Sequence, residues 1–161
     1  ADIARATVVT LYLFPEANLM LRPKLLAELR PGTRVVSNSF HMDDWKPDVH
    51  DMSARSSGGI LLWIIPARID GDWMIEIDGD RSASITVQQR YQEIEIEIAR
   101  SDAALTVDSA VLRGNRIRFG VRSSEASYVF DGTIEGDSMR GYVQIRDAGS
   151  QRIAAWRAVR P

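Results

Sequence analysis

Near Ala67 the hydrophobic period of the chain changes, and one kind of secondary structure cannot satisfy both periods. From Ile69 onward apolar residues alternate with polar ones, as in Trp73, Ile75 and Ile77; Ile94, Ile96 and Ile98; Ile117, Phe119 and Val121; Val143 and Ile145; and Ala154, Trp156 and Ala158. A period of two puts each set on one face of a strand. Turn formers separate the sets at Asp78-Gly79-Asp80, Arg113-Gly114-Asn115, Glu135-Gly136-Asp137 and Ala148-Gly149-Ser150. About eight short strands with hairpin-length connections predict an antiparallel meander over residues 68–161, curled into a barrel or sandwich.

Residues 1–67 have another rhythm. Thr7 to Leu13 (TVVTLYL) is nearly continuously apolar, as in a parallel strand covered on both faces. Pro15 suits the first helical position, where its missing N–H has no partner to lose. Leu19, Leu21, Leu25, Leu26 and Leu29 form a stripe for packing on a sheet, with Arg22, Lys24, Glu28 and Arg30 toward water. Pro23 is expected to kink this helix or restart it. Arg30-Pro31-Gly32 stops it, and Thr33 to Phe40 reads as the next strand. A long polar loop, HMDDWKPDVHDMSARSSGG, follows, then the buried strand Ile60 to Pro66. The fold class expected is an α/β segment, residues 1–67, followed by the all-β domain, residues 68–161.

Composition limits the partners. Among 161 residues, 45% are hydrophobic, and 20 Lys and Arg face 22 Asp and Glu for a net charge of −2, so no concentrated basic surface argues for nucleic acid. No apolar run approaches the roughly 18 residues of a membrane span. The opening ADIARATVV lacks the basic start, apolar middle and small-residue cleavage site of a signal peptide. With no Cys, compartment stays open between the cytoplasm and a bacterial periplasm. A chain starting without Met, inside what reads as a fold, is expected to be a fragment.

The stretch from Thr7 to Asp48, TVVTLYLFPEANLMLRPKLLAELRPGTRVVSNSFHMDDWKPD, resembles the later part of a bacterial group of class I S-adenosylmethionine-dependent methyltransferases, and ILLWIIPAR resembles their last sheet strand. The resemblance covers roughly a quarter of the chain and gives membership, not function, by itself. It implies that residues 7–13 are the fourth strand of a seven-stranded sheet, 15–30 the crossover helix, 33–40 the fifth strand and 60–65 the antiparallel last strand. It also implies S-adenosylmethionine as cofactor. The Gly-rich turn that cradles it is not among these residues, since no G-x-G-x-G follows a strand. No cofactor-binding residue is therefore assigned in this chain, which is expected to be inactive alone. Its expected partners are a missing N-terminal half of the same protein, or a swapped copy of the chain, together with an unknown methyl acceptor.

Tyr12, Phe14, Pro15, Glu16 and Asn18 follow the fourth strand, where the resemblance implies the acceptor side. Aromatic walls with one carboxylate and one amide suit a reaction governed by alignment. The same residues equally suit a sheet-packed Tyr and a helix start. His41, Asp43, Asp44, Asp48, His50 and Asp51 are the densest set of oxygen and nitrogen ligands. Their spacing follows no structural zinc pattern, and no metal is assigned. A solvated loop that gates the acceptor is preferred, with His41, Asp43, Asp44 and Trp45 as its candidates and Trp45 as its hydrophobic anchor.

Gly71-Asp72-Trp73, with Trp156 and Arg160 at the far end, resembles the end closure of lipocalin and avidin barrels, where a basic group packs over a Trp. Inward Tyr91, Phe119, Phe130 and Met139 look bulky enough to fill the barrel, with an internal ligand cavity as the alternative. Two functions remain: part of a methyltransferase, or a non-catalytic β-barrel binding module.

Overall fold

The structure is a computed structural model describing residues 2–53, 57–100 and 104–161, the side chain of Arg100 excepted. Residues 54–56 of the polar loop lie outside the described residues. The chain divides into two compact units, Ala1–Ala67 and Arg68–Pro161.

The first unit contains β1 (Val8–Leu11), α1 (Pro15–Glu28), β2 (Arg34–Asn38), β3 (Val49–Asp51) and β4 (Ile60–Ile64). Its sheet runs β1-β2-β4-β3. β1 and β2 are parallel, from Val8 opposite Arg34 to Leu11 opposite Ser37, while β4 is antiparallel to both β2 and β3. A parallel pair needs a crossover, which α1 supplies. Leu25 and Leu29 of that helical region are buried, as are Val35, Leu61, Trp63 and Ile65.

Four expectations change here. Strand β1 is not covered on both faces: Leu11 alone of its residues is buried, and Val8 is 41% exposed, because β2 is its one neighbour. The helix runs unbroken through Pro23 rather than restarting. Leu19 is exposed, and Arg22 turns from solvent to donate from Nη1 to the carbonyl of Met42 at 2.8 Å and to Asp44 Oδ1 at 2.6 Å. The long loop also carries structure: β3 lies within it, and Met42 and Trp45 are fully buried.

The second unit is one sheet of eight strands: β5 (Gly71–Ile77), β6 (Asp80–Arg90), β7 (Glu93–Arg100), β8 (Thr106–Arg113), β9 (Arg116–Arg122), β10 (Ala126–Glu135), β11 (Ser138–Asp147) and β12 (Ser150–Val159). The order β7-β6-β5-β12-β11-β10-β9-β8 is antiparallel throughout. Its end strands β7 and β8 come alongside each other, so the sheet is a nearly closed barrel. Asp78 and Gly79 both take positive φ (51° and 90°), the geometry of the two-residue hairpin turn their sequence predicts.

Inside, the rings of Phe119 and Phe130 stack at 4.5 Å between centroids, and Trp156 meets both edge-on at 5.8 and 5.4 Å. Gly132 sits opposite Gly141 in the β10–β11 ladder. A methyl on Gly132 would lie 2.6 Å from Trp156 Cζ2, so the indole needs the missing side chain. At one barrel end the guanidinium of Arg160 lies 4.4 Å over the Trp73 ring and donates to the carbonyl of Asp70. That is the closure expected from the two ends of the unit. Tyr91 is not inside: it takes φ 56° in the two-residue turn between β6 and β7, because Arg90 pairs with Glu93. Nor is the barrel filled, since a cavity of about 420 Å³ remains near its other end.

Candidate functional site at the ends of the parallel strands

Parallel strands offer their carboxyl ends as a place where loops diverge and leave a crevice. β1 ends at Leu11 and β2 at Asn38, and beyond them lies a cleft of about 500 Å³ lined by Tyr12, Leu13, Phe14, Asn38, Ser39, Phe40 and Ser57. Two aromatic rings stand in solvent at its rim, Tyr12 at 85% and Phe14 at 76% exposure. Phe14 approaches Phe40 at 6.3 Å between centroids, tilted 40°. Two bare aromatic faces beside a cleft are an expensive way to terminate a strand unless something covers them.

The cleft rests on a polar pair that the solvent does not reach. Asn18 and Ser37 are both fully buried. Asn18 Nδ2 donates to Ser37 Oγ at 3.1 Å and to the carbonyl of Phe40 at 3.4 Å, tying the first turns of α1 to the end of β2. Asn18 Oδ1 is buried and has no hydrogen-bond partner among the described residues. A buried acceptor in that condition calls for a donor from water or from a bound molecule.

The side of the cleft is set by backbone strain. Ser39 takes φ 70°, a region L-residues enter rarely, and its N–H donates to the carbonyl of Gly59 at 2.9 Å. Gly58 passes so close that a Cβ there would sit 2.2 Å from the carbonyl oxygen of Ser39. The carbonyl of Gly58 in turn contacts His50 Nε2 at 2.9 Å. Gly58-Gly59 thus reads as a clamp made possible by absent side chains.

The sequence candidates separate into groups. Tyr12 and Phe14 line the cleft, and Asn18 lies buried behind it. Pro15 is the first helical residue and half-buried; Glu16 is exposed in the first turn of α1, where its charge favours the helix N-terminus. His41 is exposed and stands edge-on to His50 at 5.2 Å. Asp43 is exposed with φ 57°, and Asp44 is held by Arg22, so both shape the loop away from the cleft lining. Trp45 is core: its carbonyl accepts from Trp63 Nε1 at 2.8 Å and the rings lie 5.9 Å apart. Asp51 is exposed, and hydrogen bonds from the Ser53 hydroxyl and then the Ser53 N–H, with a smaller pull from His50, hold its carboxyl below the usual value. Among the described residues no cluster of three or more His, Asp or Glu could hold a metal ion. Asn38, Ser39 and Ser57 line the cleft without having been singled out. Nothing in their residue types distinguishes them: Asn38 ends β2, Ser39 follows it, and Ser57 stands before β4.

Comparison with known proteins bears on this unit. The family model described as the ANTKMT methyltransferase domain matches residues 1–49. A protein-lysine N-methyltransferase from Saccharolobus islandicus (strain REY15A) is 56% identical over 46 residues, which are 29% of this chain and 29% of that protein. A crystal structure of an RNA methyltransferase from Salinibacter ruber in complex with S-adenosyl-L-homocysteine shares 48% identity over 43% of this chain and 44% of its own, with a TM-score of 0.39. The chain thus spans less than a third of the curated relative it matches. The part that carries the cleft is similar to methyltransferase domains.

Proposed function

We propose that residues 1–67 form the acceptor side of an S-adenosylmethionine-dependent methyltransferase, completed by a cofactor-holding segment that this chain does not contain. One observation carries the reading. The residues most similar to a methyltransferase are those whose folding builds the cleft at the carboxyl ends of β1 and β2. The cofactor would supply an electrophilic sulfonium methyl. Among the described residues the one strand-to-helix connection, Tyr12-Leu13-Phe14 after β1, is bulky and without glycine and does not fit such a cradle.

This chain's own contribution is alignment and exclusion of water. Tyr12 and Phe14 offer aromatic faces against which an acceptor can lie, and Asn18 holds the Phe40 backbone that forms the opposite rim. Methyl transfer is an in-line displacement, so holding the acceptor at one angle is a large part of the catalytic work. The parallel strand β1, which pairs with β2 alone among the described residues, is where the completing segment pairs, supplied by the same protein or by a second copy.

Calorimetry with S-adenosylhomocysteine tests the reading. The product of the complete gene is expected to bind it and residues 1–161 alone are not. In the complete protein, Tyr12→Ala with Phe14→Ala is expected to lower kcat/KM for the methyl acceptor by about tenfold or more, roughly 1.4 kcal/mol, with cofactor affinity unchanged. A complete protein that ignores the cofactor ends the proposal.

A further inference from the structure

The barrel interior differs at its two ends, and the difference is chemical. Arg160 stacked on Trp73 closes one end, and the Phe119, Phe130 and Trp156 cluster fills the middle. Toward the end that carries the Asp78-Gly79 turn, the cavity of about 420 Å³ lies open, walled by Ile75, Ile85, Ile98, Val121, Phe130 and Ile145. That size falls in the range of roughly 300–1,000 Å³ typical of small-molecule sites, which pair apolar walls with a few polar groups.

The register makes the polar groups notable. Asp80 pairs with Ile77 and Arg152 with Ile145, so each charged residue occupies the same sheet face as an interior isoleucine. Alternation would put an apolar residue at both positions. Both instead put charge at the mouth, alongside Asp78. Asp78 is already committed: Oδ2 accepts from Arg152 Nη1 at 3.2 Å and Oδ1 from the N–H of Ala155 at 3.2 Å. The Asp80 carboxylate has no such partner among the described residues; Ser82 Oγ donates to its backbone carbonyl instead. Among the described lining residues two carboxylates face one guanidinium, an excess of one negative charge carried by the group without a partner.

We propose that this cavity binds an apolar small molecule with a protonated amine head, its body among the isoleucines and its head at Asp80. A carboxylate head would meet the excess negative charge, and a neutral head would leave Asp80 unanswered. The site is independent of the methyltransferase-like segment, because no lining residue falls in residues 1–49.

The test is calorimetry on the full chain with octylamine, octanol and octanoate, each below its micelle concentration. Saturable one-to-one binding is expected, tightest for octylamine and weakest for octanoate. Asp80→Asn changes an exposed side chain and is expected to weaken octylamine about tenfold while leaving octanol unchanged. Ala83→Phe, which places a ring in the cavity, is expected to weaken all three ligands about tenfold or more, with circular dichroism confirming the fold. The proposal fails if octylamine gives no saturable heat, if octanoate binds as tightly, or if Asp80→Asn leaves octylamine affinity unaltered. Octylamine affinity that survives in a folded Ala83→Phe chain also overturns it.

Discussion

Asn18 is a buried amide whose two ends fare differently. Its Nδ2 satisfies two acceptors while its Oδ1, fully buried, satisfies nothing among the described residues. Asn18→Asp would replace the donor with a second oxygen facing the carbonyl of Phe40 and would bury charge. The expected cost is about 3 kcal/mol or more in urea unfolding, since an unsatisfied buried group costs about 1–3 kcal/mol and a charged one more. Asn18→Leu, which removes the orphan along with the donor, is expected to cost less than the Asp variant. Equal costs would show that the Nδ2 bonds, not the polarity of the site, set the effect. The sequence places Asn18 three residues after Pro15, and that spacing locates it in the first turns of a helix. It does not say which face of the helix meets β2, because the leucine stripe is broad and Leu19, inside it, stays exposed. Burial of Asn18 is decided by Ser37 waiting across from it, a pairing nineteen positions distant.

At the scale of elements, Asp48 extends a strand by side-chain means. β3 pairs with β4 only from Val49 opposite Leu62 to Asp51 opposite Ile60. One step further, the Asp48 N–H donates to the carbonyl of Leu62 at 2.8 Å and Asp48 Oδ2 accepts from the N–H of Ile64 at 2.7 Å. The carboxylate therefore stands where a strand carbonyl would. Asp48→Ala is expected to raise amide hydrogen exchange at Ile64 about tenfold, the equivalent of roughly 1.4 kcal/mol, while Trp63 Nε1 stays protected by its bond to Trp45. Unchanged exchange at Ile64 would mean that this bond holds nothing. Such substitution of side chain for backbone is invisible to periodicity: VHD has no alternation of its own and reads as loop. The same limit hid β10 from the alternating sets, because Gly132 interrupts its inward series between Phe130 and Ile134. Where turns carry Gly and strands alternate without interruption, as from Ile69 to Ile77, the period alone placed the element. Tyr91 went the other way: a turn without glycine, formed at positive φ by a tyrosine, gives no compositional warning.

For the molecule as a whole, the edges of its sheets decide how it meets others. In the barrel unit the end strands β7 and β8 lie alongside each other, so that sheet presents little open edge. β1 is different: VVTL carries no Lys or Pro, takes part in pairing on the β2 side, and leaves Val8 41% exposed on the strand that ends at the candidate cleft. An uncharged β-branched edge is a template for another strand. Residues 1–161 at high concentration are therefore expected to associate through β1, giving a mass above that of the 18.0 kDa chain in light scattering after size exclusion. Val8→Lys, which charges that edge without entering the core, is expected to shift the material to monomer while leaving the unfolding midpoint nearly unchanged, since exposed substitutions usually fall within about 0.5 kcal/mol. Backbone amides of β1 should exchange slowly in the associated form and quickly in the Val8→Lys monomer. A chain that stays monomeric at every concentration, with β1 amides exchanging fast throughout, would show that this edge recruits no strand and that the sheet tolerates an open edge at β1.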